Sequence, residues 1–203
     1  MTLIELLAAV LIAGLVSAAI VALFGAVLGV YAAAGGGAIG LSDTSQAYWM
    51  AEKLAQNTVE LGTVTPSSPQ MFVAGPTAGA VPVLALKVTN LQGIAPSSAP
   101  VYGAASGGFI CLAVVPYGGH FVLGLFPGGL PYNPAANPPV YPPPSDVTPI
   151  FSEGTDFSGT TFQVQSAATF SADIVTHSAG PGSPGVTSAH SVEYQFMIGL
   201  HDY

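Results

Sequence analysis

The sequence predicts an α+β fold in which a long N-terminal α-helix, apolar in its first half, is followed by an antiparallel β-sheet head. Three observations carry this. Residues 1–41 hold a single side chain charged at neutral pH, Glu5. Residues 42–61 place apolar side chains at helical spacing, the signature of an amphipathic helix. From Gly62 onward, β-branched and aromatic clusters are punctuated by Gly and Pro, of which the chain has 25 and 18, and such punctuation favours short strands and turns. The 203 residues therefore divide into an N-terminal helix, 1–61, and one β-rich head, 62–203. Within the helix, residues 1–41 form the apolar section and residues 42–61 the amphipathic section.

The first segment, MTLIELLAAVLIAGLVSAAIVALFGAVLGVYAAAGGGAIGL, exceeds the roughly 20 apolar residues that span a bilayer. No Lys or Arg precedes Lys53, so the basic n-region of a secretory signal is missing, and so is the flanking positive charge of an ordinary anchor. Small residues recur along it: Gly14, Ala18 and Ala22 at every fourth position, then Gly25 and Gly29 as G-x-x-x-G. Such ridges let helix backbones approach closely where water supplies no driving force. Gly35-Gly36-Gly37 is a weak point, because each glycine costs about 0.8–1.0 kcal/mol against alanine inside a helix. Beyond it, Asp43 and Gln46 stand at capping-box spacing and open the amphipathic stretch. Its apolar face is Ala47, Met50, Ala51, Leu54, Ala55, Thr58 and Leu61, suited to seating the head, and the opposite side carries Trp49, Lys53, Gln56 and Glu60.

Glu5 is the informative residue of the run. A carboxylate at hydrocarbon depth costs roughly 2.5–3.5 kcal/mol on insertion scales, so it calls for a partner, and an N-terminal amine is the obvious one. The block Met1-Thr2-Leu3-Ile4-Glu5-Leu6, opening a long apolar helix, resembles the mature N-terminus of type IV pilins and the related pseudopilins. The resemblance covers about the first sixty residues and implies a pilin-like fold. It implies that a prepilin peptidase cuts before Met1 and methylates its amine, and that Glu5 neutralises the amine of a neighbouring subunit. It further implies a structural role. The chain would be a homopolymer-forming subunit of a pilus-like filament that waits in the inner membrane and then joins an extracellular filament whose heads serve adhesion. An assembly ATPase and a platform protein are the partners the family implies. Where many members carry a helix proline, this chain reads Val21-Ala22-Leu23. A break in helical bonding is therefore expected within Gly14 to Gly40, first at Gly35-Gly36-Gly37 and next just after Gly14. A pseudopilin of a type II secretion or DNA-uptake system would share the same helix. A membrane-anchored β-rich module binding a carbohydrate or surface is the alternative from another class.

In the head, Val81 to Asn90, Gly108 to Val115, His120 to Phe126, Thr160 to Gln165, Ala168 to His177 and Ser191 to Leu200 are predicted strands, with Pro116-Tyr117-Gly118-Gly119 turning the second into the third. The segment 128–149 contains Pro138-Pro139 and Pro142-Pro143-Pro144, which cannot donate to a ladder. It is expected to run as polyproline II over the surface, docking through Leu130, Tyr132, Val140, Tyr141 and Ile150.

Charge narrows the function classes. Only 6% of residues are charged and the formal net charge is −8, so no basic stripe exists for nucleic acid. Surfaces with so little charge need a cover, and neighbouring subunits, a Ser/Thr-rich surface or O-linked glycans are the candidates. No N-x-[ST] acceptor occurs, because Asn57, Asn90, Asn133 and Asn137 lack Ser or Thr two residues on. G-x-G-x-x-G appears at Gly35 to Gly40, inside the apolar run, and at Gly180 to Gly185, where Pro181 and Pro184 remove backbone donors; neither suits a pyrophosphate. The chain lacks G-x-S-x-G, H-E-x-x-H and C-x-x-C, so it reads as a non-enzyme without cofactor. Glu153 and Asp156, in a Gly-containing loop, are weak calcium candidates, and His177, His190 and His201 could meet across strands as metal ligands. Cys111 is the only cysteine and sits in the apolar run Phe109-Ile110-Cys111-Leu112, where a buried, unreactive thiol is expected.

Overall fold

The computed structural model describes residues 24–25, 45–65, 68–104, 108–150, 155–179 and 189–200. These residues form an all-β structure, which corrects the α+β class drawn from the sequence. The described part of helix α1 covers 45–56 and helix α2 only Val101–Ala104, and among the described residues there are ten strands and one 3-10 turn. The long N-terminal helix, the site of its expected break and the cap at Asp43 lie outside the described residues, apart from Phe24 and Gly25, which are helical.

Helix α1 also ends earlier than its spacing suggested. Residues 58–61 belong to strand β1, Thr58–Thr65. Two side chains close the last turn by bonding to its carbonyls: Asn57 Nδ2 donates to the Lys53 carbonyl at 2.9 Å and Thr58 Oγ1 to that of Leu54, which also accepts the Asn57 N–H, at 2.6 Å. Backbone pairing then takes over, with Thr58 opposite Val88 and Leu61 opposite Leu86.

The larger sheet adds β2 (Ser68–Ala74), β3 (Val83–Val88), β4 (Ile110–Tyr117), β5 (His120–Pro127) and β6 (Thr148–Pro149), in the order β2-β1-β3-β4-β5-β6. The smaller one holds β7 (Thr155–Asp156), β8 (Thr161–Ser166), β9 (Thr169–Ala179) and β10 (Ala189–Gly199), with β9 pairing with β7, β8 and β10. All of these pairings are antiparallel. The six predicted strands appear as β3, β4, β5, β8, β9 and β10, whereas β1, β2 and the two-residue strands β6 and β7 were not predicted. Strand β2 contains Pro69, which its place at the sheet edge tolerates. The β4–β5 turn is tighter than expected: Tyr117 pairs with His120, and Gly118 and Gly119 fill a two-residue loop at φ 61° and 91°, backbone values that glycine adopts without a Cβ clash.

Two apolar layers result. The inner layer joins α1 through Ala47, Ala51, Leu54 and Ala55 to one face of the large sheet and to Phe162, Phe170, Ala172 and Ile174 of the small one. The outer layer covers the second face of the large sheet, where Val83, Ala85, Cys111, Ala113, Val115, Val122 and Phe126 meet Tyr132 and Val147. The Pro-rich strip supplies that cover. It does not run as one extended helix: Asn133 and Val140 bridge, Asn137-Pro138 is cis, Pro144–Asp146 forms a 3-10 turn and β6 rejoins the sheet beside β5. Of its expected anchors, Tyr132 is buried, Leu130, Tyr141 and Ile150 pack against the two layers, and Val140 is exposed.

Candidate functional site

Most of the residues expected to drive assembly lie outside the described residues: Met1, Glu5, Gly14, Ala18, Ala22, Gly29, Gly35, Gly36 and Gly37. Gly25 is described, and a methyl group added there meets nothing within 4 Å in the single chain. Among the described residues, no helix is long and apolar enough to cross a membrane. Helix α1 divides as its spacing required. Its inner face packs against the head, and its outer face leaves Tyr48 and Trp49 exposed, with Lys53 Nζ 5.6 Å from the Trp49 ring centroid. Glu60, placed by the spacing on that helix face, instead sits in β1 and pairs with Lys87 at 2.6 Å; Lys87 also lies 4.6 Å from the Phe72 ring centroid.

Of the metal candidates, Asp156, His177 and His190 fall among the described residues. Glu153 lies outside the described residues, and both carboxylate oxygens of Asp156 accept backbone N–H bonds, Oδ1 from Ser158 at 2.7 Å and Oδ2 from Phe121 at 3.4 Å. Burial alone would raise the Asp156 pKa; the hydrogen bonds from Ser158 and Phe121 and the nearby His177 outweigh it and hold it below the usual carboxylate value. Asp156 thus ties the start of the small sheet to β5. His177 Nε2 donates to the Ser158 carbonyl at 3.1 Å. Register sets His190 opposite Ser178 and His177 opposite Ser191, so the two histidines occupy positions of opposite parity in the pleat; His201 lies outside the described residues. Among the described residues no group of three or more His, Cys, Asp or Glu could hold a metal.

Cys111 is buried in the outer layer, and loss of water pushes its thiol up to about 12. Tyr132 covers it. Its hydroxyl reaches the carbonyls of Val114 at 3.0 Å and Pro82 at 3.2 Å, and burial, with smaller effects of Tyr141 and Cys111, raises its pKa well above the ordinary phenol value.

A polar groove of about 260 Å³ crosses the outer face of the small sheet, a feature the sequence reading missed. Register builds it: Thr161 on β8, Asp173 on β9 and Gln195 on β10 form one lateral row, and Gln163 and Ser171 pair in the next. Gln195 Nε2 donates to Asp173 Oδ2 at 3.4 Å, a long contact, while Asp173 Oδ1 is buried without a hydrogen-bond partner. The alternation in Thr161-Phe162-Gln163-Val164-Gln165 is the signal that was present, since it sends the polar positions to one face. A second, apolar cavity of about 210 Å³ lies under the strip between Val64, Val83 and Tyr132.

Comparison of the chain with family models, with curated proteins and with solved structures gives no match.

Proposed function

We propose that this chain is the structural subunit of a pilus-like helical filament, polymerised through residues 1–41 and carrying the β head on the outside. The observation that carries this is Glu5, the one charged side chain in an apolar run too long for a single bilayer crossing. An apolar segment that rests in the membrane and later packs against its copies accounts for both the length and the acid. The small-residue positions Gly14, Ala18, Ala22, Gly25 and Gly29 supply the packing ridge. The outer face of α1, with Trp49 and Tyr48 exposed, offers a neighbouring copy an aromatic surface a few residues after the apolar run. The partners are then other copies of the chain, the inner membrane before assembly, and the prepilin peptidase, ATPase and platform protein that the pilin resemblance implies.

Glu5→Ala tests the reading. The variant keeps its apolar run and stays in the membrane, while filament yield falls at least tenfold, because the neighbour's amine is left buried and uncompensated, a loss of roughly 3–5 kcal/mol. Filaments at normal yield would refute the pairing. A thin surface filament in cells lacking secretion genes separates a pilus from a secretion or DNA-uptake pseudopilus. The polar groove favours one second reading, a membrane-anchored binding module; protein that stays monomeric in mild detergent, with no filaments by electron microscopy, decides for it.

A further inference from the structure

We propose that the groove across the outer face of the small sheet, lined by Thr161, Gln163, Ser171, Asp173 and Gln195, is a binding site for a neutral saccharide. This deepens the reading of the head as the outward, adhesive region of the chain and rests on it for the setting in which a saccharide is met.

Three observations converge on this face. The first is an acceptor in want of donors: Asp173 has one oxygen buried without a partner and the other held only by the 3.4 Å contact from Gln195. A carboxylate left so under-satisfied lowers stability, and natural structures reserve that arrangement for places where water, an ion or a ligand completes it. Rotation about the Cβ–Cγ bond is broad for aspartate, so either oxygen can turn toward an incoming donor.

The second is the chemistry around it. Thr161 and Ser171 carry hydroxyls, and Gln163 and Gln195 carry carboxamides, so every flanking group both donates and accepts. A sugar hydroxyl does the same, giving its proton to Asp173 while accepting from an amide N–H. A metal or an ammonium group would use only the acceptors and leave the amide donors opposed to positive charge. No cationic side chain lines the groove, which disfavours anionic ligands.

The third is rigidity. The site stands on three neighbouring strands rather than on loops, with Thr161 and Gln195 both in register with Asp173. Phe162, Ala172 and Ile174, on the opposite face, are buried in the inner core and hold these strands in place. Strand-borne polar groups on a packed scaffold bind with little ordering cost.

The test uses the full chain in a sugar-free zwitterionic detergent and saturation-transfer NMR with glucose, galactose, mannose, N-acetylglucosamine and their disaccharides. At least one of these receives saturation from the protein. Asp173→Ala weakens that binding roughly ten- to a hundredfold and Gln195→Ala about tenfold, as expected for loss of charged and neutral hydrogen bonds, while Tyr117→Ala, on the β4–β5 hairpin and not in the groove lining, leaves it unchanged. Circular dichroism identical to the parent chain in both groove variants separates lost binding from lost folding. Silence from every sugar overturns the proposal, as does binding indifferent to Asp173→Ala. Binding of the diamine putrescine in place of any sugar overturns the ligand class. Filament yield is read separately: Asp173→Ala polymerises normally, and a chain that binds sugar but never polymerises sinks the filament reading alone.

Discussion

The two sheets of this protein are written in different codes. In the large sheet, β4 buries six residues in succession, Ile110 to Val115, and β5 buries five, Val122 to Phe126. In the small sheet, β8 alternates buried Phe162 and Val164 with exposed Gln163 and Gln165. The first pattern belongs to a sheet covered on both faces, the second to a sheet with one face in water. The difference explains how a chain with 6% charged residues has no bare apolar sheet among the described residues of its head. Its own Pro-rich strip seals the second face of the large sheet, so that cover is intrachain, and the neighbour, Ser/Thr or glycan covers considered from composition are not needed there. The outer rows of the small sheet are largely polar, with Met197 exposed beside Ser171.

The sharpest way to break this comparison is to truncate one side chain on each outer face. Phe126 is fully buried, its ring 5.7 Å from that of Tyr132, and Phe126→Ala is expected to cost about 3–5 kcal/mol in urea unfolding. Gln163→Ala, on the wetted face of the small sheet, should stay within about 0.5 kcal/mol. Similar losses at the two positions would show that the outer faces are alike and the strip is not a true layer.

A smaller effect isolates the strip. Gly124 lets it approach: a Cβ there would stand 2.6 Å from Val147 and 2.9 Å from Val115. Gly124→Val should cost about 1–3 kcal/mol by overpacking and speed proteolytic cleavage within residues 128–147, read by limited digestion and mass spectrometry. Unchanged digestion would mean that the strip is held elsewhere.

The smallest effect is a difference in pH response. Cys111 and Tyr132 both lie under the strip with pKa values raised by burial, Cys111 from 9.0 to about 12. A raised folded pKa means that above the unfolded value the native state holds more protons than the unfolded state, so stability is whole below pH 9 and falls as pH climbs toward 12. Between pH 8 and about 10.5 the loss should be on the order of 1–2 kcal/mol, reduced in Cys111→Ala. Asp156, at the small sheet, has the opposite sign. Its pKa is depressed, so its contribution is present above the ordinary carboxylate value and is lost as pH falls through the folded one. An alkaline limb that survives Cys111→Ala undiminished would remove the thiol from the account.

Much of this architecture is legible in the residues, for a local reason. Six strands and the Gly118-Gly119 turn announce themselves because apolar runs and turn chemistry act within a few positions. The buried face of α1 was likewise visible in Ala47, Ala51, Leu54 and Ala55. Thr58 and Leu61 misled, since both continue helical spacing from Leu54 and both are buried, yet they are buried as strand residues paired to β3. Glu60 followed them onto the wrong element. In the groove, each of Thr161, Asp173 and Gln195 looked like an ordinary polar strand position; nothing short of register makes them a row.

What the sequence determined by itself is therefore whatever depends on neighbours in the chain: where strands and turns fall, the inward face of α1, the lone acid of residues 1–41 and, through it, the proposal of a filament subunit. What only the tertiary structure decided depends on partners far along it. The end of α1 at residue 56, the all-β class of the described residues, the strip folded over Phe126 and the meeting of Asp173 with Gln195 all rest on contacts between distant segments. A residue's local pattern states how it can be buried or bonded, but which distant surface does so is settled by register and packing, and those are properties of the whole chain.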